Sequence, residues 1–294
     1  MAEKKSLKAE SPKEKKKKVI FDHHLGVNIL EKFIDFAKKK MTEKTLDFSV
    51  KWISRIGHFG MLAVAALGFL FAFIFAIRSN SFNAFLFGCV WVIVVMVVQY
   101  TALKFSKAGE ALIKNNPASL SSKAFMDCIG FLSLIGGVIF LVISFVQTVQ
   151  GASIQTLIIG ILWFFLLEFF SFVAFNPGSI TMNVGKDTSA GQEAIGIVVF
   201  FLKGIMKLIP IAFGIGIFIG FILLFIEFIG VFGNELRVTT SWFNARTIAT
   251  QIIFVGLLPF LSYIIFVLFY LAVDIIRAIL AVPGKLDEMK KKLK

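Results

Sequence analysis

IGIVVFFLKGIMKLIPIAFGIGIFIGFILLFIEFIGVF, residues 195–232, is an almost wholly apolar run of 38 residues whose division decides how often the chain crosses a membrane. As one straight helix it would extend about 57 Å, nearly twice the ~30 Å hydrocarbon core of a bilayer. Pro210 marks the division, because a prolyl ring lacks the amide donor of a helix interior and clashes with the turn before it. The reading is an interfacial helix over 192–209, followed by a span over 211–232. At helical spacing Gln192, Gly196, Phe200, Lys203 and Lys207 form one stripe, and Ile195, Val198, Leu202, Met206 and Ile209 another. Pro210 is then a hinge between the two helices.

Five further blocks of membrane length lie at 59–77, 84–103, 125–146, 155–175 and 248–273. With 57% hydrophobic residues and 36 phenylalanines, the chain reads as an all-α, polytopic transmembrane bundle of six spans. Charge supports the even count. Of the 31 Lys and Arg, all but Arg78, Arg237 and Arg246 fall in the first 58 residues, in 104–123, in 176–210 or after residue 273. Six spans put these four basic segments on one face, the cytoplasmic one by the positive-inside rule, whereas a seventh span would expel the Lys-rich C-terminus. The expected protein is integral to the plasma (inner) membrane, with both termini cytoplasmic. Cys89 and Cys128 suggest no disulfide framework, and no cleavable signal peptide is expected in so charged an N-terminal region.

The expected organisation is a disordered basic tail over 1–26, a cytoplasmic amphipathic helical segment over 27–58, the six-span domain over 59–282 and a basic C-terminal tail over 283–294. KKSLKAESPKEKKKK, residues 4–18, is too charged to fold alone. Beyond it Leu30, Phe33, Ile34, Ala37 and Met41 repeat at the spacing of an amphipathic helix. The expected partners are membrane lipids, through anionic headgroups at the cytoplasmic face, each nearby Lys contributing about 1 kcal/mol. The plainer reading is that these charges only fix topology and solubility. Nucleic acid is not expected as a partner, because no stacking platform accompanies the charge. A homo-oligomer is compatible with the pattern.

A short repeat marks the ends of the even-numbered spans: NPASL at 116–120, NPGSI at 176–180, and VPGKL at 282–286 with Val282 in place of Asn. It suggests three successive hairpins, although Asn-Pro is also a common way to end a helix. Three hairpins resemble the mitochondrial solute carriers in number alone, since the charged Pro-x-acidic-x-x-basic signature of that family is absent from the odd-numbered spans.

No phosphate-binding loop, zinc motif or ion-filter sequence occurs, and His23, His24 and His58 all precede the first apolar block. Neither catalysis nor a cofactor or metal site is expected. What remains is a set of intramembrane acids. Glu168 lies about 4 to 5 Å from its span's midpoint and Glu227 about 8 Å from its own, on opposite sides. A charge at such depth costs roughly 2.5 to 3.5 kcal/mol on insertion scales. They either line a path for protons or cations or act as packing groups between helices. Lys203 and Lys207, on long stems, are the candidate partners of Glu168. Gly216 and Gly220 form a G-x-x-x-G face and Gly214 adds a neighbouring gap, so these three predict close helix packing with Glu227 aimed into the seam. Two functions follow: a small-cation or proton channel or transporter using Glu168 and Glu227, or a non-catalytic membrane scaffold that binds lipid or a partner.

Overall fold

The computed structural model describes residues 25–185 and 189–292. Among these residues the order is α1 (Leu25–Lys40), α2 (Glu43–Ser79), α3 (Phe82–Asn115), β1 (Ala118–Leu120), α4 (Lys123–Val149), α5 (Ile154–Phe175), a 3-10 turn (Pro177–Ile180), β2 (Met182–Val184), α6 (Ala190–Gly230) and α7 (Glu235–Lys292). Six of these helices, α2 to α7, are long and apolar enough to cross a membrane. Each carries one of the six apolar blocks read from the sequence, the block at 211–232 running two residues past the end of α6. Most of the tail assigned to 1–26 lies outside the described residues, and residues 25 and 26 already belong to α1.

Local chemistry sets the helix ends. Thr42, Ser122 and Ser189 each accept a main-chain N–H three residues on, at 3.4, 3.1 and 3.4 Å, and Gln192 completes a capping box by reaching back to the Ser189 N–H. At the far end of α2, Asn80 adopts the left-handed conformation (φ 50°), which turns the chain at once into α3. Consecutive helices pack in pairs, α2 with α3, α4 with α5 and α6 with α7, and α2 and α3 also pack on α6 and α7. One apolar core, with Met61, Phe71, Trp91, Phe213, Ile217 and Ile252, fills the space among these four. A second, with Leu46, Leu120, Met126, Ile180 and Phe200, sits at the basic end, where α3 and α5 stop and α4 and α6 begin.

Two expectations about the helices are corrected. The separate interfacial helix over 192–209 does not exist as such: α6 is one helix of 41 residues with Pro210 inside it. Proline costs a helix one hydrogen bond and some crowding, but tertiary packing offsets this, with Met206, Ile211 and Phe213 all buried around the ring. Burial does not separate the two stripes: Gly196, Phe200 and Lys203 of the first are buried, and so are Ile195 and Met206 of the second, while Val198 is exposed. The third copy of the repeat also fails to end a helix, since α7 continues through 282–286 to Lys292. Val282 has no side-chain amide with which to make the cap its two counterparts make.

Those counterparts meet in space. Strand β1, the last three residues of NPASL, and strand β2, just after NPGSI, pair in parallel with Ala118 opposite Met182, Ser119 opposite Asn183 and Leu120 opposite Val184. α6 passes tightly beside them, for a Cβ on Gly196 would stand 2.5 Å from the Ser119 carbonyl oxygen.

Candidate functional site

The glycines of α6 serve two different neighbours. A Cβ on Gly216 would come within 2.7 Å of Val255, and one on Gly220 within 2.6 Å of Ile252, so both open the seam to α7. Gly214 instead admits the α2 backbone, with the Ile53 carbonyl oxygen 2.2 Å from where its Cβ would be. Two turns beyond Gly220, Glu227 accepts a hydrogen bond from the Asn244 side chain of α7 at 3.1 Å, and its other oxygen lies 3.7 Å from the Arg237 guanidinium. The acid inside the quoted stretch is thus held by partners from across the glycine seam.

Glu168 is placed differently. It lies half-buried on α5 against Gly137 of α4, where a Cβ would stand 3.1 Å from its Oε1. Among the described residues no cation or donor lies within bonding distance of it. The pairing with Lys203 and Lys207 expected from sequence does not form. Lys203 is fully buried and donates to the main-chain oxygens of Asn116, Ile180 (3.0 Å) and Thr181 (3.3 Å), and Lys207 pairs with Asp47 of α2 at 2.7 Å. Glu168 and Glu227 lie in different helix pairs, one in α4–α5 and the other in the α6–α7 seam.

A cleft that the sequence reading missed is lined by Lys207, beside these side chains. It lies between α2 and α3, with 206–210 of α6 and Pro259 and Ser262 of α7 behind them, and has a volume of about 1140 Å³. That exceeds the ~300–1,000 Å³ of most small-molecule sites. Its walls are largely apolar, including Leu62, Met96, Leu103, Phe105, Met206 and Pro210. Toward the basic end it is bordered by Asp47, Lys51, Arg55, Lys107, Glu110 and Lys207. Gln99 of α3 donates to the His58 carbonyl of α2 at 2.9 Å, joining the two helices where they border the cleft. The Ser106 hydroxyl, in the cleft wall, is buried with no hydrogen-bond partner. On the flank Phe59, Tyr100 and Met96 are 66%, 63% and 49% exposed, so the opening shares the surface of exposed apolar side chains that belongs against lipid. A signal for it does exist in the sequence: Asp47, Lys51, Ser54, Arg55 and His58 follow one another at helical spacing directly before the first apolar block.

Among the described residues no group of acidic, histidine and cysteine side chains could hold a metal ion. No family model matches the chain, and neither a curated protein nor a solved structure matches it.

Proposed function

We propose that this chain is a non-catalytic integral membrane protein that takes a membrane lipid into the cleft between α2 and α3, with both termini on the cytoplasmic side. The observation that carries the reading is the polarity of the cleft: largely apolar walls, charge at one end, and exposed apolar side chains along the flank. An acyl chain entering from the bilayer meets the side chains of Leu62, Met96 and Leu103 while its head stays level with the charged border. A soluble ligand would have to cross that apolar flank or displace the border. Ion or proton transport remains the second reading, favoured by the unpartnered Glu168, but Glu227 already has its donor in a separate helix pair.

The test is retention of lipid by the purified protein. Native mass spectrometry should find a stoichiometric lipid on the wild type that survives detergent exchange. Leu62→Trp and Met96→Trp, which fill the cleft, should lose it, while Ile93→Trp on exposed α3 surface outside the cleft should retain it. Retention by both cleft-filling variants would refute the site.

A further inference from the structure

The charges at the cleft mouth do not cancel, and the imbalance specifies a ligand class. Of its two acids, Asp47 is engaged by Lys207 at 2.7 Å and Glu110 by Lys114 at 2.9 Å, one turn along α3. That leaves Lys51 and Arg55 on α2 and Lys107 on α3. All three are exposed, all border the cleft, and among the described residues none has a carboxylate within salt-bridge distance. They flank the opening from two helices. The same cleft wall holds the orphaned Ser106 hydroxyl. A buried hydroxyl without a partner is destabilising, so a donor or acceptor delivered to it relieves that penalty.

Resting on the lipid reading above, we infer that the cleft selects a lipid whose phosphate head carries net negative charge, with no ammonium group to neutralise it. Lys51, Arg55 and Lys107 recognise the phosphate oxygens, and Ser106 bonds the oxygen-rich linkage between head and chain. Arginine suits the role because its planar fork can hold two phosphate oxygens at once, and the lysines add point charges that need no fixed geometry. A zwitterionic head would bring its own cation among these three and lose the attraction. The chain's own N-terminal stretch, KKSLKAESPKEKKKK, has the same sign as the site and does not complement it. The walls of the cleft are too apolar for a free polyanion.

The experiment titrates the full-length protein, in a neutral detergent, with phosphatidylglycerol or with phosphatidylcholine of identical acyl chains, and reads occupancy by native mass spectrometry. The wild type should prefer phosphatidylglycerol. The double variant Arg55→Gln/Lys107→Gln, both exposed positions, should reduce that preference by roughly 30-fold, each cation contributing about fivefold. Lys39→Gln/Lys40→Gln removes as much charge from the exposed end of α1 and should leave the preference intact. Equal wild-type affinity for the two lipids, or a preference that survives loss of Arg55 and Lys107 or falls equally with Lys39 and Lys40, would overturn the headgroup assignment. In each of those cases Leu62→Trp still reports separately on the cleft: if it abolishes binding of both lipids the cleft stands, and if it changes neither, the lipid reading itself fails.

Discussion

Asn116 and Asn176, 60 residues apart in the chain, end α3 and α5 in the same way: each side-chain amide donates to the carbonyl four residues earlier, at 2.8 Å to Leu112 and 2.9 Å to Phe172. Their backbones agree as well, with φ −117°, ψ 76° at one and φ −126°, ψ 66° at the other. The following prolines cannot continue a helix with a normal donor, so the chain leaves both helices toward β1 and β2. Strand register places residues 64 apart opposite each other rather than 60, because the 3-10 turn Pro177–Ile180 precedes β2. Lys203 joins the two copies, through the carbonyl of Asn116 on one side and those of Ile180 and Thr181 on the other.

This arrangement predicts that Lys203 is a stability residue. Lys203→Met keeps the apolar stem and removes the ammonium, but the carbonyls it served remain buried with one donor fewer. The expected loss is roughly 1–3 kcal/mol, the cost of a buried polar group left short of a partner. Thermal unfolding in detergent measures it. A melting temperature equal to that of the wild type would show that water or rearrangement replaces the ammonium and would remove this role.

The glycines of α6 predict an order of sensitivity. At Gly214 an added Cβ meets the Ile53 carbonyl oxygen at 2.2 Å, a backbone atom inside α2 that cannot move without the helix. At Gly216 it meets a methyl of Val255 at 2.7 Å, and at Gly220 a side-chain carbon of Ile252 at 2.6 Å, both of which can shift with their side chains. Gly214→Ala should therefore destabilise more than Gly216→Ala or Gly220→Ala, at the upper end of the ~1–3 kcal/mol typical of overpacking. Melting temperatures of the three variants decide it, and equal or inverted losses would mean that α2 and α6 separate more easily than their packing implies.

What sequence could and could not reveal follows from the range of the interactions. The six apolar blocks and the close-packing glycines are local patterns, and the structure contains both. Glu227 was legible as a seam residue because its face follows from helical spacing on α6 alone. The break at Pro210 was misread because local proline chemistry was given more weight than packing, which holds α6 continuous through Met206, Ile211 and Phe213. Lys203 looked like an interfacial cation because its acceptors lie 22 to 87 positions away, at two helix ends that only the fold brings together. The cleft escaped notice for the same reason: its walls come from four helices, and only the polar stripe on α2 is contiguous in sequence.

Glu168 provides the sharpest division between the two functions. It faces Gly137 with no cation or donor at bonding distance among the described residues, in a helix pair, α4 with α5, that contributes nothing to the cleft wall. If the protein binds lipid without conducting ions, this carboxyl is a packing group between α4 and α5. Glu168→Gln preserves its size and most of its hydrogen-bonding capacity. The substituted protein should then match the wild type in melting temperature and in lipid retention, and liposomes containing either protein should hold a proton or cation gradient as well as empty ones. A transport role requires the opposite pattern: the wild type dissipates the gradient, and Glu168→Gln abolishes the flux with no loss of stability. Observing that pattern would transfer the function from the cleft to the α4–α5 pair, because the variant leaves every residue of the cleft unchanged.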